Sequence, residues 1–316
     1  MSKSWWGVLG VIVIVGAGLL FMTPSLKREY SKTPEGQNSD TVSLLDAIKG
    51  ALAPDSLSIV AFGEVGPEYG GARLADAILL VHFLPNEKKG YLISIPRDLW
   101  IQEGEIQFKI NEVLFRKKIP QVLSEIKDIT GITPDGYVIV DLSLVRDAID
   151  FLGGIEVTLD VPAIDWVSGF TLPAGTHYLN GEDAVWLLRN RYNKEGDFFR
   201  EKNQQKIVEA TIQLFQKVSR EEKLEFIKKF VFTSEVLSQA HIDFSKLTPF
   251  VVDPELTKVS LEHIVLDYQT QLFKIGSVPL YASATTTYVS VVLPSAGFEQ
   301  YDEIREYIQK KISGME

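Results

Sequence analysis

The sequence contains no cysteine among its 316 residues. Disulfide bonds, thiolate metal sites and a thiol nucleophile are therefore excluded. Histidine is also scarce: there are four, and no two of them stand at the spacing of an HxxxH zinc pair. A zinc site of that kind is not expected. The lack of cysteine is compatible with any cellular compartment and does not select one.

Several familiar catalytic signatures are missing as well. The chain has no GxxxxGK[ST] loop, no GxGxxG turn, no GxSxG elbow and no HExxH helix. The sequence therefore lacks the usual markers of nucleotide kinases, serine hydrolases and zinc proteases. Positive charge is in deficit too, because the formal net charge is −10. Since a nucleic-acid partner requires a basic face, we expect none.

One long apolar run, Trp5–Met22, lies near the amino terminus and carries no charge. At about 1.5 Å per residue its length suits the hydrocarbon core of a bilayer. A cleaved signal peptide is the competing interpretation, but its apolar core would be shorter and end in a small-x-small site. The run predicts an uncleaved transmembrane anchor over residues 5–23, behind a short cytoplasmic tail of residues 1–4. Flanking charges are nearly balanced and do not set the orientation.

The rest of the chain divides into a tether and one large domain. Residues 24–50 are polar, contain Pro, Gly and Ser, and predict a tether with a short entry helix. Residues 51–316 alternate short apolar runs with helical patterns, which predicts an α/β (α+β) fold with a central mixed sheet flanked by helices. The runs that predict buried strands are Leu57–Gly63, Ala77–Leu84, Gly90–Ile95, Asp135–Asp141 and Ile155–Val161. Phe170–Leu172 and His177–Leu179 flank a Pro-Ala-Gly turn and predict a hairpin.

Charged residues stand at the ends of the first three predicted strands. Glu64 closes the first, Asp76 opens the second, and Arg97 follows the third after a proline. Strand ends and loops are where sheet proteins place their sites. Lys109 and Asn111 lie among apolar residues, which indicates a buried polar contact or a site residue.

Three arginines fall between residues 181 and 205: Arg189, Arg191 and Arg200. Arg189 lies in a helix that Asn180 caps and Asn190 breaks, and Arg191 follows that break. Arg200 shares one face of the next helix with Asp197 and Gln204. A helix N-terminus with guanidinium groups attracts phosphate oxygens. The alternative is a solvated face, on which these arginines pair with nearby carboxylates. The carboxylates available for such pairing are Glu182, Glu195 and Glu201.

Five features in order resemble the LytR-CpsA-Psr (LCP) family of membrane-anchored ligases that attach glycopolymers to the bacterial cell wall. They are the N-terminal anchor; DAILLVHF followed by ISIPRD; FKINEVLF; DGYVIVDLSLVRDAIDFLGGIEVTLD; and LPAGTHYLNGEDAVWLLRNRYNKEGDFFREKNQQ. The similarity covers roughly residues 57–218. It implies that residues 51–316 form an extracytoplasmic LCP-like catalytic domain on a single-pass protein of the cell membrane.

The resemblance also implies a reaction and roles for named residues. Family members are phosphotransferases that move a glycosyl phosphate from a polyprenyl-pyrophosphate-linked donor to a hydroxyl of the wall polymer, usually peptidoglycan. Asp76 and Glu64 would hold Mg²⁺, and Asp197 would orient an arginine or accept the proton of the attacking hydroxyl. The pyrophosphate-binding residues would be Arg97, Lys109, Arg189, Arg191, Arg200 and Gln204. The arginines among them and Asp197 form the expected catalytic set.

The chain departs from the family pattern at four positions. Glu64 stands where the family usually has Asp. Leu74, Ile101 and Asn203 stand where arginine is common, with Arg73 one step before Leu74. The thinner cationic set leaves two alternatives open: a pyrophosphatase in which water replaces the sugar hydroxyl, or a non-catalytic module that binds lipid pyrophosphate.

Overall fold

A computed structural model describes residues 55–70, 73–190, 203, 206–207, 210–211, 214, 217–230, 240–242, 260–266, 270–280 and 287–314. The predicted anchor at residues 5–23 and the tether at residues 24–50 lie outside the described residues. Within the described ranges, no helix has both the length and the apolar character needed to cross a bilayer.

The described strands and helices follow the predicted alternation. The strands are β1 (Leu57–Glu64), β2 (Ala77–Leu84), β3 (Lys89–Ser94), β4 (Trp100–Glu103), β5 (Ile106–Lys109), β6 (Gly136–Asp141), β7 (Ile155–Leu159), β8 (Ala163–Ile164), β9 (Thr171–Leu172), β10 (Gly175–Leu179), β11 (Ala240–Ile242), β12 (Ser260–Val265), β13 (Phe273–Leu280) and β14 (Thr287–Pro294). The helices are α1 (Val113–Arg116), α2 (Ile119–Thr130), α3 (Leu142–Phe151), α4 (Gly181–Arg189), α5 (Arg220–Phe230) and α6 (Asp302–Ser313).

Six strands form the central sheet in the order β11-β6-β1-β2-β3-β12. Strand β2 runs antiparallel to both β1 and β3, whereas β6 is parallel to β1 and β12 is parallel to β3. The predicted central mixed sheet is therefore confirmed. Every residue of β1 is buried, which explains why its sequence is a continuous apolar run and not an alternating one.

Helices cover the sheet through apolar stripes at helical spacing. Helix α2 buries Val122, Ile126 and Ile129, which lie three or four residues apart on one face. Just before α6, the Tyr301 hydroxyl donates a hydrogen bond of 2.5 Å to the Glu125 carboxylate of α2. Burial is the main cause of the raised pKa of Tyr301, so the phenol keeps its proton and this contact fixes α6 on α2.

The predicted hairpin between Phe170–Leu172 and His177–Leu179 is wrong. Strand β9 pairs with β8, and β10 pairs with β7. Each segment thus finds a partner earlier in the chain, and the Pro-Ala-Gly stretch only links them. The β8–β9 pair becomes a small separate hairpin that contacts helix α4.

The carboxyl ends of β1, β3 and β6 meet the amino end of β2 at one edge of the sheet. Glu64 is in register with Asp141 of β6. Asp76 directly precedes Ala77, whose partner on β1 is Gly63. Arg97 follows β3, whose last residue pairs with Leu79 of β2. We call this edge, defined by Glu64, Asp76, Arg97 and Asp141, the site edge.

Candidate functional site

The centre of the site edge is an ion pair between Arg97 and Asp76. The two residues are 21 positions apart in sequence, and the antiparallel register of β2 and β3 brings them together. Their side chains are 21% and 36% exposed, so the pair is only partly accessible to solvent. Such a pair is held in place and can still meet a ligand from the open side.

Glu64 forms a second carboxylate–arginine pair next to the first. Its side chain is only 5% exposed. Arg73 donates from Nε to Oε2 at 3.3 Å and from Nη2 to Oε1 at 3.4 Å, which is a two-pronged contact. Arg73 lies one residue before Leu74, the position at which the family commonly has arginine. The guanidinium is therefore supplied from the neighbouring position.

The segment around Lys109 forms the frame beneath Arg97. The Asn111 N–H donates to the Arg97 carbonyl at 3.1 Å, and the Ala75 N–H donates to the Asn111 carbonyl at 2.8 Å. Lys109 Nζ lies 3.1 Å from the Asp98 carboxylate. Burial lowers the pKa of Lys109, and the nearby charge of Arg97 lowers it further. Lys109 therefore lies within electrostatic reach of the central arginine, as a second cation of this region.

Arg189 reaches the loop that follows β1. Its guanidinium carbon lies 5.4 Å from the centre of the Tyr69 ring, in a cation–π contact. Tyr69 ends a 3-10 turn, Pro67–Tyr69, that begins three residues after Glu64. Glu182, one of the carboxylates considered as an arginine partner, accepts instead from Tyr69 Oη at 3.2 Å and from Arg146 at 3.5 Å.

Arg146 of α3 was not identified from the sequence, yet it connects three elements. It contacts Glu68 in the 3-10 turn, Asp147 at 2.7 Å and Glu182 at the start of α4. Hydrogen bonding to Asp147 is the main cause of its raised pKa, so it remains charged. An arginine in a helix between Val145 and Asp147 gives no local signal of this role, since Glu68 lies 78 positions earlier.

The Asn-Gly pair before α4 fixes how that helix meets α3. The Asn180 side chain accepts from the Asp183 N–H at 2.9 Å, which confirms the predicted N-cap. The Gly181 N–H donates to the Asp150 carboxylate at 2.7 Å. A Cβ atom on Gly181 would lie 2.3 Å from the Arg146 carbonyl oxygen. Only glycine permits this approach, which sets the position from which Arg189 projects.

Four of the predicted site residues lie outside the described residues: Arg191, Asp197, Arg200 and Gln204. Glu195 and Glu201 lie outside them as well. Asn203 is described: it is 2% exposed, and among the described residues its amide nitrogen has no hydrogen-bond partner.

Ile101 and Leu74, which also stand where the family commonly has arginine, differ in their surroundings. Ile101 is 2% exposed and lies in the hydrophobic core, so a cation is absent from that position and an apolar side chain fills it. Leu74 is partly exposed and lies between Arg73 and Ala75 near the site edge.

The two predicted metal ligands, Glu64 and Asp76, lie at the same sheet edge. In the described part of the chain, no three carboxylate or histidine groups converge into a set that could hold a metal ion alone. A cation at this edge would have to complete its coordination with ligand oxygens and water.

Comparison with known proteins identifies the family. The sequence pattern of the LytR_cpsA_psr family matches residues 21–265. The chain therefore belongs to the LytR-CpsA-Psr family.

Two curated relatives carry transferase names. The polyisoprenyl-teichoic acid–peptidoglycan teichoic acid transferase TagU of Bacillus cereus is 24% identical over 65% of this chain and 68% of its own length. The polyisoprenyl-teichoic acid–peptidoglycan teichoic acid transferase TagV of Bacillus subtilis is 27% identical over 69% of this chain and 59% of its own length. The regulatory protein MsrR of Staphylococcus aureus is 30% identical over 45% of this chain and 44% of its own length.

Solved structures share the fold. The crystal structure of B. subtilis TagV matches with a TM-score of 0.53 and 22% identity, over 82% of this chain and 98% of that one. The structure of the family protein YwtF (TagT) with bound octaprenyl pyrophosphate lipid matches with a TM-score of 0.51 and 18% identity, over 83% and 92% of the two chains.

The close approach of α4 to α3 gives a direct test of how Arg189 is positioned. We predict that Gly181→Ala lowers the free energy of unfolding by about 1–3 kcal/mol, because the new methyl group overlaps the Arg146 carbonyl and forces the helices apart. Urea unfolding followed by circular dichroism measures the change. Asp183→Ala, in the same helix turn but without this overlap, is the control. An unchanged free energy in Gly181→Ala would contradict the packing.

Proposed function

We propose that this chain is a glycopolymer transferase that uses a polyprenyl-pyrophosphate-linked donor and a hydroxyl of the cell-wall polymer, usually peptidoglycan, as acceptor. The observation that carries the proposal is the Arg97–Asp76 pair at the site edge, beside the Glu64–Arg73 pair. Family membership supports it, as do the transferase names of TagU and TagV. The lipid named in the TagT structure has the same pyrophosphate headgroup.

In the proposed reaction the acceptor hydroxyl attacks the phosphorus that carries the glycan. A new P–O bond forms, the P–O bond to the bridging oxygen breaks, and polyprenyl phosphate leaves. Negative charge grows on the bridging oxygen, and guanidinium groups held beforehand at that point lower the barrier. Arg97, Lys109 and Arg189 would bind the phosphate oxygens. Arg191, Arg200 and Gln204 would bind them as well. Asp197 would orient an arginine or take the proton of the attacking hydroxyl.

Asp76 and Glu64 are the residues that would hold Mg²⁺. Their chemistry fits this ion, which usually binds one or two carboxylates and completes its shell with substrate phosphate and water oxygens. Bound Mg²⁺ would neutralise charge on the phosphate oxygens. Arg97 and Arg73 hold the two carboxylates in place at this edge, and each would share its partner with the ion.

The membrane placement belongs to the same proposal. The apolar run at residues 5–23 would anchor the chain in the cell membrane, with residues 51–316 outside the cytoplasm. A donor with a polyprenyl tail stays in the bilayer, so an anchored enzyme meets it in two dimensions. The tether at residues 24–50 would give the domain its reach.

A second function is favoured by one observation. Ile101 lies in the core where relatives commonly carry a cation, so the described site holds fewer positive charges than the family pattern. A module that binds lipid pyrophosphate without turnover would need fewer cations. The name of MsrR, a regulatory protein, accords with that alternative.

The transfer assay separates these functions. Full-length protein in detergent receives lipid-pyrophosphate-linked glycan, with and without acceptor glycan, and the products are identified by mass spectrometry. We predict glycan joined to the acceptor through a phosphodiester, and about 10²–10³-fold less of it with Arg97→Ala, the loss typical when one charge-stabilising donor is removed. Arg97→Lys should give an amount of product between those of wild type and Arg97→Ala, because the lysine ammonium is a point charge and lacks the planar guanidinium fork.

Arg305→Ala is the matched control, since Arg305 pairs with Asp302 within helix α6. It should transfer at the wild-type rate. Release of glycosyl phosphate with water as acceptor would indicate a pyrophosphatase instead. Donor binding without any product would establish the binding module and overturn the transferase.

The proposed Mg²⁺ site has its own test by thermal unfolding. In the presence of farnesyl pyrophosphate, we predict that Mg²⁺ raises the Tm of the wild type by a few degrees, since about 1 kcal/mol corresponds to roughly 2–4 °C at this size. Asp76→Asn should lose this rise, because the ion loses a charged ligand. The control is Glu103→Gln, which removes a carboxylate that pairs with Lys118. This variant should keep the rise of the Tm. An equal rise of the Tm in Asp76→Asn would show that Asp76 does not bind the ion.

A further inference from the structure

Arg189 differs from the other described arginines of the site in the kind of group that holds it. Arg97 and Arg73 each pair with a carboxylate at the site edge. The Arg189 guanidinium lies over the Tyr69 ring, with its central carbon 5.4 Å from the ring centre. A carboxylate neutralises a guanidinium, whereas an aromatic ring attracts it and leaves its net charge in place. In the described part of the chain, Arg189 therefore has a partner that leaves its charge available to an anion.

The turn that carries Tyr69 is fixed against the site edge. Gly66 precedes the turn with a φ of 82°, and a Cβ atom on it would lie 2.9 Å from Cβ of Asp141. Only glycine permits both the backbone conformation and this close approach. The Gly70 N–H closes the turn with a 3.1 Å hydrogen bond to the Pro67 carbonyl. The Tyr69 ring also packs against the hydrophobic core, so it is in place before a ligand arrives.

Glu182 is a carboxylate of α4 on the same helix face as Arg189, because seven residues are about two helical turns. The Tyr69 hydroxyl donates to Glu182 Oε1 at 3.2 Å, and Arg146 donates to the same oxygen at 3.5 Å. Burial is the main cause of the raised pKa of Tyr69, so the phenol stays protonated and remains a donor. Tyr69 thus contacts the cation of this helix face with its ring and the anion with its hydroxyl, and holds the two separately.

We propose that Tyr69 is a positioning residue, which orients Arg189 toward the diphosphate of the donor without neutralising it. This inference rests on the proposed function for the identity of the anion. A cation–π contact takes up no N–H donor, so the planar fork of Arg189 can still bind phosphate oxygens in a two-pronged contact. Tyr69 acts through Arg189 and need not touch the donor itself.

Binding of farnesyl pyrophosphate to full-length protein in detergent, measured by calorimetry, tests this role. Tyr69→Leu should weaken binding about three- to tenfold, the range expected for loss of one cation–π contact. Tyr69→Phe should bind within about twofold of wild type, because the ring stays and Arg146 still contacts Glu182. Tyr288→Leu is the matched control: Tyr288 is 65% exposed on β14, and its replacement should leave binding unchanged.

A double-mutant cycle with Arg189 separates positioning from a general loss of structure. Arg189→Ala removes the group that Tyr69 positions, so Tyr69→Leu should weaken binding no further in that background. An equal loss of affinity in both backgrounds would overturn the proposal, because Tyr69 would then act without Arg189. Unchanged affinity in Tyr69→Leu alone would overturn it as well.

Fluorinated phenylalanines at position 69 make the test independent of whether Tyr69→Leu folds. Fluorine withdraws electron density from the ring face with little change in ring size, so each added fluorine weakens the attraction for a cation. Farnesyl pyrophosphate should bind progressively more weakly from phenylalanine to the monofluoro, difluoro and trifluoro analogues. Equal affinity across the series would contradict a cation–π role for this ring.

The two proposals fail in different ways. If farnesyl pyrophosphate binding shows the coupling between Tyr69 and Arg189 but wild type forms no transfer product, the positioning role stands and the transferase does not. If Tyr69→Leu binds and transfers like wild type while Arg97→Ala does not, the transferase stands and the positioning role does not.

Discussion

The site depends on one interaction, the ion pair between Arg97 and Asp76 at the edge of the central sheet. It exists because β2 runs antiparallel to its neighbours, so that the start of β2 lies beside the end of β3. An arginine and a carboxylate that share a partly covered edge are oriented before any ligand arrives. In the proposed function, a phosphate group that enters here would meet a guanidinium already in place, and the carboxylate beside it would be shared with a cation. This preorganisation is what electrostatic catalysis of phosphoryl transfer requires.

The second half of the site is connected to the first through the loop after β1. Tyr69 contacts Arg189 on one side and Glu182 on the other, while Arg146 joins the loop to α3 and α4. Each of these contacts is polar and partly exposed, so singly it contributes little stability. Together they determine where Arg189 projects. The glycine at the α3–α4 contact makes this arrangement possible, because a larger residue would separate the helices.

The sequence predicts four strands of the central sheet, β1, β2, β3 and β6, since buried strands are continuous apolar runs, but it does not predict β11 and β12. It also predicts that Glu64, Asp76 and Arg97 stand at strand ends. The Asn180 cap is also predictable, because its hydrogen bond goes to Asp183, only three residues along the chain. The pairing of β9 and β10 is not, because a two-residue strand has no periodicity and its register depends on distant partners. The role of Arg146 cannot be predicted for a related reason, because its partners Glu68 and Glu182 are distant in sequence.

The most direct test of the central claim is a crystal structure of the protein with farnesyl pyrophosphate. We predict that the guanidinium groups of Arg97 and Arg189 both contact the diphosphate, with Asp76 and Glu64 beside it. A diphosphate bound away from the site edge, with Arg97 and Asp76 contacting only each other, would contradict it.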